Sequence, residues 1–120
     1  MQTDPPTVQV IASARFQRDL RLLAKRYRNV RLDVQPVIEQ LQSGELPGDQ
    51  IPGLGCTIFK VRLKNRDVQK GKSGGYRLIY YVKLADQIVL ITIYSKSDQG
   101  DITATEIQEI IAEFARNREL

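Results

Sequence analysis

The feature that most constrains the fold is a set of three strand-like segments in the second half of the chain. Thr57 to Lys64, Tyr76 to Leu84 and Gln87 to Ser95 are rich in valine, isoleucine, tyrosine and phenylalanine, which strands favour. Only Ala85 and Asp86 separate the second segment from the third, a spacing that fits a tight hairpin turn. The sequence therefore predicts an antiparallel meander, and the other elements must pack against it.

The first half of the chain predicts one strand followed by a helical hairpin. Thr7 to Ala12 is apolar enough for a short strand, and Ser13 is a suitable N-cap for a helix that runs to about Arg28. A second helix follows, with Pro36 in its first turn and Gly44 at its end. The apolar stripes at helical spacing are Phe16, Leu20, Leu23 and Tyr27 on the first helix and Val34, Val37, Ile38 and Leu41 on the second.

The rest of the chain predicts a loop before the meander and a helix after it. Gly44 to Gly55 holds four glycines and two prolines and is predicted to be a loop. Thr103 and Glu106 have the spacing of a capping box, which predicts the start of an amphipathic helix. The apolar stripe of this helix is Ile107, Ile110, Ile111 and Phe114. We expect the stripe to pack on the sheet, with displacement of the helix by a protein partner as the alternative.

Together these elements predict a single α+β domain over residues 1–120. An N-terminal strand and a helical hairpin pack on the antiparallel meander, and an amphipathic helix closes the chain. Residues 1–6, which include Asp4 and two prolines, are expected to be flexible and do not fit a signal peptide. No apolar stretch approaches the roughly 20 residues that a bilayer-spanning helix needs, so we expect a cytoplasmic protein with no membrane partner.

Composition limits the chemistry that is open to this chain. It has no histidine and one cysteine, Cys56, which excludes an internal disulfide, a zinc site and a histidine-based triad. We therefore expect no metal and no cofactor, and any catalysis must use other side chains. The net charge of +4 is unevenly distributed, since residues 56–83 hold eight lysines and arginines against Asp67 as the one acidic residue. Such a cationic block favours an anionic partner.

Side-chain alternation along the three strands predicts two different faces of the sheet. One face is apolar and should pack on the helical hairpin; it comprises Phe59, Val61, Leu63, Leu78, Tyr80, Val82, Val89, Ile91 and Ile93. The opposite face mixes cations, tyrosines and apolar residues; it comprises Lys60, Arg62, Arg77, Ile79, Tyr81, Leu90, Thr92, Tyr94 and Lys96. We expect the C-terminal helix to cover Ile79 and Leu90 and to leave the remainder as an open cleft.

The predicted cleft is suited to nucleic acid. Lys60, Arg62 and Arg77 should lie at its floor, with Tyr94 and Lys96 at its edge. Burying these cations without partners would cost several kcal/mol, on the order of the desolvation penalty for each charge, whereas an anion lying across the sheet would neutralise them. Point charges, a planar guanidinium and aromatic surface are the combination that binds RNA.

The loop between the first two meander strands is also basic. Its Gly71-Lys72-Ser73 run lacks both the upstream glycine and the following helix of a phosphate-binding loop, so a nucleotide site is not predicted. A basic loop of this kind can contact a phosphate backbone. The predicted RNA-binding residues outside the cleft are Lys64, Lys70, Lys72 and Tyr81.

These residues resemble the RelE/HigB branch of the RelE/ParE toxin superfamily. The resemblance covers nearly the whole chain from Val8, and its specific part lies between Lys60 and Asp98. The segments that carry it are Phe59-Lys60-Val61-Arg62, Gly71-Lys72-Ser73-Gly74-Gly75-Tyr76-Arg77-Leu78-Ile79-Tyr80-Tyr81 and Leu90-Ile91-Thr92-Ile93-Tyr94-Ser95-Lys96-Ser97-Asp98. The resemblance implies a RelE-like fold and a toxin of a type II toxin–antitoxin system. It also implies a ribosome-dependent mRNA endonuclease, or mRNA interferase, that inhibits translation and is silenced by a cognate antitoxin.

The resemblance also implies roles for individual residues. Lys60 and Arg62 match a basic pair on the second strand of the family's sheet, and Arg77 matches the arginine after Gly-Tyr. Tyr94 is similar to a tyrosine of this branch. A further basic residue of the family, near the end of the last strand, corresponds to Lys96, or to Ser97 after a one-residue shift; the predicted catalytic residues are therefore Lys60, Arg62, Arg77, Tyr94 and Lys96.

Cleavage without a metal would use the neighbouring 2′-hydroxyl of the RNA as nucleophile. We assign Lys60 as general base, Arg77 as a forked clamp on the phosphate, and Lys96 or Tyr94 as general acid. Two other functions fit the same fold: a ParE-like inhibitor of DNA gyrase, and a non-catalytic domain that binds RNA or a protein partner. The strand-borne cations favour the nuclease.

Overall fold

The computed structural model describes residues 8–68 and 74–119. It contains five strands and three helices within this part of the chain. In chain order they are β1 (Gln9–Ala12), α1 (Ala14–Arg26), α2 (Val30–Gln42), β2 (Asp49–Gln50), β3 (Thr57–Leu63), β4 (Tyr76–Leu84), β5 (Gln87–Ser95) and α3 (Ala104–Glu119). The predicted α+β class, with a helical hairpin, a meander and a C-terminal helix, is confirmed.

The five strands form one mixed sheet in the order β1-β5-β4-β3-β2. Strands β3, β4 and β5 pair in antiparallel fashion, which confirms the predicted meander. Strand β1 pairs with β5 in parallel. Helices α1 and α2 carry the chain from β1, at one edge of the sheet, to β2, at the other edge. The two-residue strand β2 lies within the segment that the sequence predicted to be entirely loop, and it pairs with Phe59 and Lys60 of β3.

The boundaries of the helical hairpin differ from the predicted ones. Helix α1 ends at Arg26, and α2 already begins at Val30, where the carbonyl of Asn29 accepts a hydrogen bond from the amide of Asp33 at 3.1 Å. Pro36 therefore lies inside α2 and not in its first turn. This proline is exposed, so solvent can bond the carbonyl that loses its helical partner.

The hairpin packs on one face of the sheet and forms the larger core. Its buried residues from the helices include Phe16, Leu23, Val34 and Leu41, as predicted. From the sheet, the core takes Val61, Leu63, Tyr76, Leu78, Tyr80, Ile88, Leu90 and Ile93, with Phe59 and Val82 at its margin. The predicted assignment of β3 and β4 to this face is therefore confirmed.

The predicted facing of β5 is wrong for its central residues. Ile79 of β4 pairs with Thr92, whereas the next residue, Tyr80, pairs with Leu90, so Ile91 is an extra residue in β5. This irregularity reverses the alternation within the strand. Leu90 consequently faces the hairpin, and Val89 and Ile91 face the other side, each opposite to the prediction.

Helix α3 covers part of the opposite face. Ile107 and Ile110 are buried there against Ile79, Val89 and Ile91. The predicted packing of the α3 stripe on the sheet is confirmed for Ile107 and Ile110, and Ile111 and Phe114 are partly buried at its edge. Its predicted start is confirmed too, since the Thr103 hydroxyl accepts a hydrogen bond from the Glu106 amide at 3.1 Å. None of the helices in the described ranges is long and apolar enough to cross a bilayer.

Ser13 joins the start of α1 to the centre of the sheet. Its buried hydroxyl accepts a hydrogen bond from the Phe16 amide at 3.0 Å and donates one to the Ile91 carbonyl at 2.9 Å. One side chain therefore satisfies a helix N-terminus and a strand carbonyl at the bulge.

Replacing Ser13 with alanine should destabilise the protein by about 1 to 3 kcal/mol, because it leaves both backbone groups without their partner. Chemical denaturation of the variant and the parent measures this difference. Ser43→Ala is a matched control, since the exposed Ser43 hydroxyl bonds groups close to it in the chain, the Gln40 carbonyl at 2.8 Å and the Glu45 carboxylate at 3.4 Å. Equal loss of stability in both variants would contradict the role assigned to Ser13.

Candidate functional site

Three of the predicted site residues lie side by side across the meander. Arg62 of β3 is directly opposite Arg77 of β4, and Arg77 is directly opposite Tyr94 of β5. Residues paired in this way have Cβ atoms about 5 Å apart. Two guanidinium groups and a phenol therefore form one row on the face that α3 partly covers, and like charges in adjacent strands favour a bound anion.

Burial differs along this row. Arg62 is exposed, but Arg77 is only 5% exposed and so is Tyr94. The predicted cleft was only partly open, with Arg77 at its floor and Tyr94 at its edge, and the structure encloses both side chains almost completely. The segment before α3 contacts Tyr94, since the Ile102 amide donates to its hydroxyl at 3.4 Å. One Arg77 nitrogen, Nη1, donates to the carbonyl of Tyr76 at 3.2 Å, which holds its guanidinium against the backbone.

The remaining two predicted catalytic residues converge on a carboxylate that the sequence analysis did not single out. Asp101, in the segment between β5 and α3, lies with its Oδ1 atom 3.0 Å from Lys96 Nζ and 3.8 Å from Lys60 Nζ. The Tyr94 hydroxyl donates to the same Oδ1 atom at 3.4 Å. Three side chains thus meet at one oxygen atom of a fourth, Asp101. We call them the Asp101 cluster: Lys60, Tyr94, Lys96 and Asp101.

The cluster shifts the acid–base properties of two of its members. The hydrogen bond from Lys96, and then the positive charge of Lys60, lower the pKa of the Asp101 carboxyl below its ordinary value. Burial raises the pKa of the Tyr94 hydroxyl, and the nearby Asp101 charge raises it further, while the Ile102 amide and Arg77 act in the opposite sense. Asp101 is therefore an anion at neutral pH, and Tyr94 keeps its proton.

The structure separates Lys96 from Ser97, the two residues between which the resemblance left a choice. Lys96 joins the Asp101 cluster, whereas the Ser97 hydroxyl donates to the carbonyl of Gly74 at 3.1 Å. Lys96 is fixed in position by its own backbone as well, since its amide donates to the Gly75 carbonyl at 2.9 Å. Of the two, Lys96 is the residue near the other candidates.

Two of the predicted RNA-binding residues, Lys64 and Tyr81, lie outside this cluster. Lys64 is exposed just beyond the end of β3, two residues after Arg62 and of the same side-chain parity. Tyr81 is on the same face as Arg77, but four residues along β4, or about 14 Å away, where it packs at the edge of the α3 core. Lys70 and Lys72 lie outside the described residues.

A second acidic residue fixes the start of the segment that carries Asp101. The Asp98 carboxylate is 2.6 Å from Nη1 of Arg26 and accepts a hydrogen bond from the Tyr27 hydroxyl at 3.4 Å. Asp98 is therefore tied to the C-terminal end of α1, away from the Asp101 cluster. The two aspartates hold neighbouring points of one segment to different parts of the fold.

Asp101 had only a weak signal in the sequence. The segment after β5 shows no strand or helix periodicity, so alternation could not assign Asp101 to a face. The net charge of the residues after 97 is negative, opposite in sign to the cationic block at residues 56–83. This was the one indication in the sequence that the cations have a partner within the chain.

Comparison with known proteins gives a family match over most of the chain. A family model described as the RelE toxin of the RelE / RelB toxin–antitoxin system matches residues 14–118. Among solved structures, the chain is similar to TrmO from Pseudomonas aeruginosa at 19% sequence identity and a TM-score of 0.49. That alignment covers 77% of this chain and 37% of the TrmO chain, so this chain spans little more than a third of the length of that protein.

Proposed function

Because the chain belongs to the RelE toxin family of toxin–antitoxin systems, we propose that it is an endoribonuclease that cuts messenger RNA on the ribosome. The toxin role and an antitoxin partner follow from family membership. The cleavage reaction, its dependence on the ribosome and the assignment of catalytic residues are our proposal. The alternative of a gyrase inhibitor has no particular observation in its favour.

The observation that carries the proposal is the placement of cations on one face of the meander. Arg62 and Arg77 are paired across β3 and β4, and Lys60 and Lys96 meet at one point beside them. Within residues 8–68 and 74–119, neither Arg62 nor Lys64 forms an ion pair with a carboxylate, so this exposed edge carries net positive charge. A phosphate backbone lying along β3 would neutralise it.

The proposed reaction is transfer of a phosphoryl group within the RNA. Lys60, which the free protein holds as an ammonium group beside Asp101, must lose that proton before the attack; as a neutral amine it then takes the proton of the 2′-hydroxyl, whose oxygen attacks the adjacent phosphorus. Arg77 stabilises the charge that develops on the phosphate oxygens, and Arg62 helps to bind the backbone. The bond to the 5′-oxygen breaks, and Tyr94 or Lys96 donates a proton to that oxygen. The products are a 2′,3′-cyclic phosphate and a free 5′-hydroxyl.

Tyr94 is well suited to the acid role because of its burial. Its raised pKa keeps the Tyr94 phenol protonated at and above neutral pH. The proton that the acid must donate is therefore present at any pH at which Lys60 acts as base. Tyr94 is paired with Arg77 across β4 and β5, and the Arg77 charge acts on its hydroxyl, so in this proposal the phosphate that Arg77 holds is the one cleaved.

We expect the protein to cut mRNA on programmed ribosomes at least about 100-fold faster than the same RNA free in solution. The side chains at the site supply charge but little proton transfer at neutral pH, so alignment of the 2′-oxygen with the scissile bond must supply much of the acceleration. Primer extension on ribosome-bound and free message, at matched RNA concentration and salt, measures the ratio. Equal rates would leave a free ribonuclease.

Loss of one charge distinguishes the nuclease from a gyrase inhibitor. Lys60→Ala should abolish RNA cleavage and growth arrest together, and Arg31→Ala should change neither, because Arg31 is exposed on α2 on the other side of the sheet. Growth arrest by the Lys60 variant, with DNA gyrase inhibited in a supercoiling assay, would refute the nuclease and support the gyrase alternative.

A further inference from the structure

One carboxylate oxygen of this protein has the surroundings of a phosphate oxygen. Asp101 Oδ1 accepts contacts from two lysine ammonium groups and one phenol hydroxyl, at 3.0 Å from Lys96, 3.8 Å from Lys60 and 3.4 Å from Tyr94. Lys60 comes from β3, Tyr94 from β5 and Lys96 from the residue after β5, so the three donors reach a common position from either side of β4. Ammonium and hydroxyl donors in such an arrangement bind a non-bridging phosphate oxygen equally well.

Two anions cannot share this position. A phosphate oxygen bound by Lys60 and Lys96 would lie within a few ångströms of the Asp101 carboxylate, and the mutual repulsion would weaken both sets of contacts. The carboxylate is ionised at neutral pH, since its pKa is lowered by the same two lysines. Binding of a phosphate therefore requires that Asp101 give up its place.

Asp101 is free to do so. Its side chain is 58% exposed, and it belongs to the irregular segment between β5 and α3. The lysines are more enclosed, at 25% exposed for Lys60 and 32% for Lys96, and are held on strand β3 and at the end of β5. The two lysines thus stay in place, while the Asp101 carboxylate that now contacts them can turn into solvent.

We propose that Asp101 is a built-in competitor for the anion site, whose carboxylate occupies the position of a substrate phosphate oxygen and is displaced when RNA binds. This inference rests on the proposed function for the identity of the ligand. Its chemical core, competition between one carboxylate and a phosphate group for Lys60, Lys96 and Tyr94, holds for any phosphate-bearing ligand. The contact lowers affinity for stray phosphates and is overcome when the rest of an RNA backbone engages Arg62 and Arg77.

Asp101→Asn tests the competitor directly, with Asp98→Asn as its matched control. Both substitutions remove one negative charge from the same segment, but Asp98 contacts Arg26 and Tyr27 and not the Asp101 cluster. Calorimetric titration with inorganic pyrophosphate and with an uncleavable 2′-O-methyl RNA oligonucleotide gives the affinities. We expect Asp101→Asn to bind both probes about 3- to 30-fold more tightly than the parent, since it removes up to two surface ion pairs. Asp98→Asn should change affinity less than about 2-fold.

The results separate competition from two other roles. Weaker binding or slower cleavage by Asp101→Asn, with rescue by Asp101→Glu, would overturn the competitor and make Asp101 a positioning residue for the lysines. An equal gain in affinity for Asp101→Asn and Asp98→Asn would assign the effect to net charge alone and would also overturn the competitor. Failure of the parent to bind pyrophosphate, together with no binding by the variant, would remove the anion site altogether.

The pyrophosphate measurement does not depend on cleavage. If the protein never cuts ribosome-bound message, the proposed nuclease fails, while tighter pyrophosphate binding by Asp101→Asn still supports the competitor. If cleavage occurs and the Asp101 variant binds no more tightly, the nuclease stands and the competitor fails.

Discussion

Replacing Arg77 with alanine should lower the rate of RNA cleavage by about 30- to 1000-fold, which corresponds to about 2 to 4 kcal/mol of transition-state stabilisation. Arg77 is the central member of the cationic row, between Arg62 and Tyr94, and its guanidinium is the group best able to hold two oxygens of a phosphorane. The loss should appear mainly in kcat, because the charge on the phosphate grows in the transition state. Single-turnover cleavage of ribosome-bound message measures it.

Burial of Arg77 requires a second variant for this experiment. The side chain is 5% exposed, so alanine leaves a cavity and lowers stability as well as activity. Arg77→Lys keeps the charge and most of the volume but not the fork, and we expect it to lose at least about 10-fold in rate while melting close to the parent. Full activity of the lysine variant would show that charge alone is needed at this position. Full activity of a folded alanine variant would remove Arg77 from the site.

Replacing Gly75 with alanine should destabilise the fold by about 3 kcal/mol or more and lower the melting temperature by about 10 to 20 °C. A Cβ at this position would lie 1.8 Å from the carbonyl oxygen of Leu63 and 3.2 Å from the amide nitrogen of Asn65. Both are backbone atoms, which cannot turn aside as a side chain would. The Gly75 carbonyl also accepts a hydrogen bond from the Lys96 amide at 2.9 Å, so a shift of Gly75 would disturb β3 and the end of β5 together.

Gly100→Ala is the control for this substitution. It makes the same chemical change at a glycine whose added Cβ would have no atom within 4 Å among the described residues, apart from its chain neighbours. It should leave stability within about 0.5 kcal/mol of the parent. The melting temperatures of the two variants compare a glycine that closely approaches another strand, Gly75, with a glycine in open space, Gly100. Similar melting temperatures for Gly75→Ala and the parent would show that β3 and β4 can separate at low cost.

Much of this architecture follows from short-range pattern. The hairpin of β4 and β5 was predictable because two β-rich segments flank a two-residue turn, and the start of α3 because Thr103 and Glu106 have capping spacing. Alternation assigned β3 and β4 to the right faces, since their side chains follow a strict period of two. The apolar stripe of α1 was predictable for the same reason at a helical period.

The candidate site was predictable only in part. Local alternation placed all five candidate residues on one face, and the structure keeps them on that face: Lys60, Arg62, Arg77, Tyr94 and Lys96. Their burial was not predictable, because it depends on how closely α3 and the segment before it approach the sheet. The segments that carry the resemblance contain the same residues, so the resemblance and the alternation predict the same part of the surface.

The sequence by itself determined the three helices, the first strand, the meander and the face that carries the cations, because these depend on side chains two to four positions apart. Tertiary structure decided what depends on residues far apart in the chain. The extra residue at Ile91 reverses the facing of β5, and it becomes evident only when β4 and β5 are paired. Asp101 meets Lys60 because folding returns the segment after β5 to β3, about 40 residues earlier in the chain. No short-range periodicity in the sequence predicts this contact between Asp101 and Lys60.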